Sequence, residues 1–293
     1  MDVGLLMLVG GFAAGVFGSW LGLGGGTLIV PLLTLAFGLD LRTAVGVSLV
    51  CVIMTSSAAA GVYLERHVAN LRLGMSLELF TAIGALVGGS IAFLVDERLL
   101  SLLFAALLGY VAFSMARARS PEAVIDDLGA GESGDPTDPI ATAIEPPPAD
   151  HGSTLTGRRA AMLASVAGPD YEVRNLGRGV VGSAGAGVAS ALLGIGGGTV
   201  KVPLMHLAMG VPLRVATATS NLMMGITAAA GAVIYLLHGE IDPYVVGPTA
   251  IGVFVGATLG SRVAHRIGLR YLRLLFVVVM TYTAIQMLLR ALS

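Results

Sequence analysis

Gly194-Ile195-Gly196-Gly197-Gly198-Thr199-Val200-Lys201-Val202-Pro203 places three consecutive glycines and the chain's one lysine inside an apolar run. Gly22-Leu23-Gly24-Gly25-Gly26-Thr27-Leu28-Ile29-Val30-Pro31 is an earlier copy without the charge. Residues 15–63 align without gaps on 187–235, with 22 identities over those 49 positions. The pairs include Gly26/Gly198, Thr27/Thr199, Pro31/Pro203, Arg42/Arg214 and Ser48/Ser220. The chain is therefore a duplicated element whose two copies differ where chemistry is expected.

Composition identifies the solvent. Mean hydropathy is +0.86, and 55% of residues are hydrophobic against 12% charged, about half the charged fraction of a soluble domain. Apolar runs of membrane length recur, from Val3–Leu21 through Thr43–Leu64, Leu73–Val95 and Leu99–Ala116. The second half repeats them at Gly179–Leu193, Val215–Leu237, Tyr244–Ala264 and Leu272–Leu289. Such runs favour helices over a barrel, whose strands would be short and alternating. The expected class is an all-α integral membrane protein. Val3–Leu21 lacks a basic flank and belongs to the repeat, so it reads as a span and not a cleaved signal. A net charge of −1 names no partner and gives no ground for nucleic-acid binding. The single cysteine, Cys51, reads as a small core hydrophobe. No cofactor is expected.

The halves are taken as 1–117 and 177–293. Residues 118–176 form an acidic, proline-rich linker containing Pro146-Pro147-Pro148, expected to be disordered through about residue 155 and extramembrane. In each half a long apolar leg, the glycine break and a short leg precede three ordinary spans. If the legs form a hairpin, each half crosses an odd number of times and the copies are inverted. The arginines favour this arrangement. Thirteen then lie on the linker side, with Arg42, Arg98 and Arg290 opposite, whereas parallel copies give nine against seven. The sequence thus predicts two inverted repeats, each a glycine-broken helical hairpin plus three transmembrane helices. Both termini lie outside a cell membrane and the linker is cytoplasmic. Whether the legs are re-entrant or a crossing pair stays open, and a homo-oligomer is among the assemblies allowed.

Interrupted helices at matching places in inverted repeats are the mark of secondary transporters. Gly24, Gly25, Gly26, Gly196, Gly197 and Gly198 leave amides free to face a ligand. Thr27 and Thr199 follow as candidate N-caps of the second legs, whose positive ends then lie deep in the membrane. Pro31 and Pro203 fall near the first turn of those legs, where a missing N–H costs least. Two helix N-termini facing each other bind an anion. Lys201, replacing Ile29, is expected to face a cavity, a counter-ion or the substrate. Ser48, Ser220 and Asn221 are candidates to complete the hydrogen-bond shell. His206 is read as a bundle hydrogen bond or a proton relay. Glu78 is read as the partner of an arginine such as Arg72, or as a proton carrier. Arg42 and Arg214 are read as surface anchors or guards of the entrance. Gly84, Gly88 and Gly89, with Gly252, Gly256 and Gly260, read as close helix packing. A nucleotide loop is disfavoured because no strand precedes the glycines. No nucleophile–base pair or metal cluster supports an enzyme.

The doubled motif Leu-Gly-x-Gly-Gly-Gly-Thr-x-x-Val-Pro at 21–31 and 193–203 resembles the TauE/SafE family of sulfite-exporter-type permeases. So do the segments that follow, Thr43–Ser48 and Ala216–Asn221. The resemblance covers both membrane halves and not the linker. It implies a permease for a small anion, sulfite, an organosulfonate or a related sulfur oxyanion. A passive anion channel, and a membrane sensor signalling through the linker, are the alternatives.

Overall fold

The computed structural model describes residues 3–21, 25–65, 69–117, 173, 175–263 and 269–292. Gly24 and nearly all of 118–176 lie outside the described residues, as does the Arg214 side chain. The described chain is helical. In the first half α1 (Val3–Leu21) precedes the break, and α2 (Gly26–Pro31) continues as a π-helical turn, Leu32–Ala36. Then come α3 (Leu41–Glu65), α4 (Leu71–Leu94) and α5 (Glu97–Arg117). The second half gives α6 (Leu176–Leu193), α7 (Gly198–Pro203) with its π-helical turn Leu204–Ala208, α8 (Leu213–Leu237), α9 (Pro243–Val263) and α10 (Leu269–Leu292). The starts pair as Gly26/Gly198, Leu41/Leu213, Leu71/Pro243 and Glu97/Leu269, each 172 residues apart, so the repeat extends past the 49 aligned positions.

Among the described residues, five helices carry stretches long and apolar enough to cross a bilayer: Leu41–Ala60, Leu71–Leu94, Leu176–Leu193, Val215–Leu237 and Pro243–Gly260. Leu79, Ile83, Phe113, Val181 and Tyr282 stand exposed on the outside of the bundle, as lipid contact requires and water would penalise.

The short legs explain their own length. Gly25 and Gly197 take positive φ, 71° and 75°, which glycine adopts without the Cβ penalty. The helix then restarts with these glycines at the N-cap position. Pro31 and Pro203 sit at the sixth helical residue, not in the first turn, and the chain widens into the π-helical turns directly after them. A proline removes one i→i−4 hydrogen bond, and the wider turn absorbs the loss. Gly38 and Gly210 end the legs at positive φ, closed by Leu39 N–H donating to the Leu33 carbonyl and Val211 N–H to Met205. Six helical residues plus five in the π turn span about 16 Å, too short for a hydrocarbon core of about 30 Å. Each leg turns back along its predecessor. Gly10 meets Leu32, while Gly182 meets Leu204 and Gly179 meets Met209.

The halves interlock. α1 packs along α9, and α4 along α6, through the glycines read from sequence as packing positions. A Cβ on Gly256 would meet the Phe12 backbone, and one on Gly260 the backbone of Val16. The same places in the exchanged pair bring Gly84 to Ala184 and Gly88 to Val188. Without side chains these helices approach backbone to backbone. Gly88→Leu is expected to destabilise the fold by about 3 kcal/mol or more, since backbone cannot yield as a side chain does. Gly185→Leu, with nothing within 4 Å of its Cβ position, is expected to leave the melting temperature in detergent near wild type.

α3 and α8 pack antiparallel through the centre. Thr43 donates to Glu240, Gly46 lies against Tyr235, Gly231 against Leu49, and Ser56 reaches Asn221 and Gly225. The end of the bundle holding residues 41–43 also holds 93–97 and 238–240. There Arg42 donates to the Val95 carbonyl, Leu41 N–H donates to Glu97, and Phe93 stacks on His238 at 3.8 Å.

Candidate functional site

The two breaks meet at the centre of the bundle. Ser48 Oγ, fully buried on α3, reaches the Gly194 carbonyl at 2.7 Å and the Gly26 carbonyl at 3.3 Å. Val52, one turn further on, packs against both Gly26 and Gly196. The sequence expectation that Ser48 hydrogen-bonds the anion changes accordingly: its one proton is committed to carbonyls, which makes it a strut between the breaks. Its counterpart Ser220 on α8 is fully buried and its hydroxyl has no hydrogen-bond partner.

Thr27 and Thr199 are not N-caps. Each is the second residue of its helix, behind a glycine that already occupies the cap, and neither hydroxyl has a partner. The amides of Gly26, Thr27, Gly198 and Thr199 belong to first helical turns, which leave N–H groups without intrahelical acceptors. Ser190, at the end of α6 and beside Gly197, adds another buried, unpartnered hydroxyl. Buried hydroxyls are normally paired, and each exception calls for a cause. Here four of them, Thr27, Ser190, Thr199 and Ser220, belong to the breaks and the helices that flank them.

Lys201 is 1% exposed and carries a counter-ion. Its ammonium lies 3.2 Å from Glu78 Oε2 and donates to Thr227 Oγ1 at 2.6 Å, while Thr227 donates to Glu78 Oε1, also at 2.6 Å. The partner of Glu78 is thus this lysine and not an arginine. The triad joins α4 of the first half to α7 and α8 of the second. Its counterparts at the 172-residue offset are Ala250, Ile29 and Thr55, so the first break has no such charges.

Two of the remaining candidates, His206 and Arg42, sit at the ends of their elements and away from the breaks. His206 Nδ1–H donates to the Val211 carbonyl at 2.9 Å and ties off the end of the second leg. Arg42 lies over the Phe93 ring at the bundle end, 5.5 Å from its centroid. Asn221 is buried and its carbonyl accepts from Ser56. An apolar cavity of about 380 Å³ lies behind the first hairpin, lined by Ala14, Phe17, Leu28, Pro31 and Tyr282; no charged side chain lines it. Sequence reading missed Ser190 and Thr227. Thr227 carried a signal, its identity with Thr55 in the repeat. Ser190 aligns with Gly18 and carried none.

The family model described as Sulfite exporter TauE/SafE matches residues 7–287. The chain is similar to the probable membrane transporter protein YunE of Bacillus subtilis, 24% identical over 272 residues that cover 89% of each protein. It is similar to a probable membrane transporter protein of Xylella fastidiosa, 28% identical over 258 residues, covering 88% of this chain and 82% of that one. It is also 26% identical over 303 residues to the probable membrane transporter protein MamO of Magnetospirillum gryphiswaldense, covering 98% of this chain but 44% of MamO. No solved structure matches.

Proposed function

The chain belongs to the TauE/SafE family of membrane transport proteins, and from that premise we propose that it is a secondary transporter of a small anion, sulfite, an organosulfonate or a related sulfur oxyanion. The observation that carries this reading is the meeting of two buried helix N-termini, α2 and α7, whose flanking hydroxyls have no protein partner. Amides and hydroxyls offer an oxyanion the donors it needs without a resident charge of equal size. A tetrahedral or pyramidal sulfur centre presents several acceptor oxygens, which suits donors arriving from both breaks. Gly25, Gly26 and Thr27 would serve one side of the anion and Gly196, Gly197, Gly198 and Thr199 the other, with Ser220 and Asn221 alongside.

The antiparallel crossing of the counterpart helices α3 and α8 supports inverted repeats. The hairpin return of each short leg supports a re-entrant form. Together with the arginine distribution they favour both termini outside and residues 118–176 in the cytoplasm. Alternating access would follow from the two halves rocking about the breaks.

Purified protein in liposomes is expected to accumulate labelled sulfite, and to do so faster when unlabelled sulfite is trapped inside. Trans-stimulation belongs to a carrier and not to a channel. Uptake no greater than in protein-free vesicles, across sulfite, sulfate and ethanesulfonate, would sink the reading.

A further inference from the structure

The Lys201–Glu78–Thr227 triad poses a problem for an anion site. A lysine already saturated by a carboxylate has no charge to offer. Adding an anion to a neutral buried pair leaves a net negative charge in a medium of low dielectric, and pulling the pair apart strands Glu78 unpaired. One additional proton resolves both difficulties.

We propose that anion binding at the second break is linked to protonation of Glu78, so that the anion enters with a proton. This rests on the reading of the breaks as an anion site. In the empty site Lys201 holds Glu78. When the anion arrives, a proton from solution adds to a Glu78 carboxylate oxygen. The lysine, still an ammonium, then turns from a carboxylic acid to the anion. For a singly charged anion the charges balance: an ammonium and a carboxylate give way to an ammonium, a carboxylic acid and a bound anion.

The geometry provides for both states. The Lys201 side chain already lies against the break, its Cε 3.6 Å from the position a Cβ on Gly197 would take, beside the unpartnered hydroxyl of Ser190. Thr227 has a second acceptor, the Met223 carbonyl at 3.2 Å. Its hydroxyl turns there when a protonated Glu78 must donate to it instead of accepting from it. Among the described residues, the titratable and charged groups that face α4 from its packing partners are Lys201, which reaches Glu78, and Tyr235, His238 and Arg42, which lie against Phe93, about four helical turns from Glu78. Of these only Lys201 touches Glu78, so the linked proton belongs to the pair.

The test is calorimetric titration of the purified full chain with sulfite, sulfate and ethanesulfonate in buffers of different ionisation enthalpy. Sulfate, a dianion, and ethanesulfonate, a monoanion, do not change charge across neutral pH, so any proton taken up is the protein's. Wild type is expected to take up one proton per anion and to weaken about tenfold for each pH unit of rise. Glu78→Gln is expected to bind without proton uptake and to lose that pH dependence, and Glu78→Asp to restore both. Binding to wild type without proton uptake, or proton uptake persisting in Glu78→Gln, overturns the linkage and leaves the anion site standing. A wild type that neither binds nor exchanges any of the three anions overturns the transport reading, and the linkage with it.

Discussion

Lys201→Met is expected to destabilise the folded chain by about 3–5 kcal/mol, because it leaves the Glu78 carboxylate buried and unpaired. The lysine is 1% and the glutamate 6% exposed, so little water is at hand to replace the lost ammonium. The two groups sit on different halves, and the loss should also loosen α4 from α7 and α8. Lys201→Met/Glu78→Gln removes both charges and is expected to recover most of the stability, since a neutral pair of similar volume leaves no unpaired charge buried. Melting temperatures of the four proteins in one detergent complete the cycle. A coupling energy near zero would mean that the lysine and glutamate do not act as a unit. Recovery of stability without recovery of transport would separate the pair's part in folding from its part in binding.

That pair also marks where sequence reading stops. The lysine was legible, because an isolated charge in an apolar run is costly and its repeat partner is Ile29. Its counter-ion was not. Glu78 lies 123 residues away on a helix of the other half, and which faces of two helices meet depends on how the bundle interlocks, which periodicity does not encode. Arg72 suggested itself only through nearness along the chain. The threonines misled for a different reason. Thr27 and Thr199 are good caps by residue type, but a glycine at positive φ can start a helix without any side chain, and it does so two residues earlier. The packing glycines Gly84, Gly88, Gly252, Gly256 and Gly260 were legible as close-approach positions, although Gly109 and Gly185 lie in apolar helices with open space around them.

Gly26→Ala is expected to lower transport about a hundredfold, the scale of loss that follows when a binding group shifts by about 1 Å. A Cβ there would meet the Gly194 carbonyl oxygen, while lying 2.8 Å from the Val52 side chain and 3.1 Å from Ser48 Oγ. Val52 has rotamers to use, but the carbonyl is backbone held by Ser48, so the breaks themselves must move apart. Gly25→Ala separates this steric effect from a conformational one. Its Cβ meets nothing closer than 3.6 Å, yet its φ of 71° is strained for alanine, at about 1–2 kcal/mol. Gly25→Ala should therefore lower the melting temperature and keep a substantial share of its exchange activity, while Gly26→Ala should lose exchange out of proportion to its stability. Gly109→Ala, in open space, sets the baseline for both. Loss of sulfite exchange in proportion to loss of stability in both break variants would show that the breaks matter for folding alone. A selective effect at Gly26 makes the distance between the two helix starts the quantity that transport depends on.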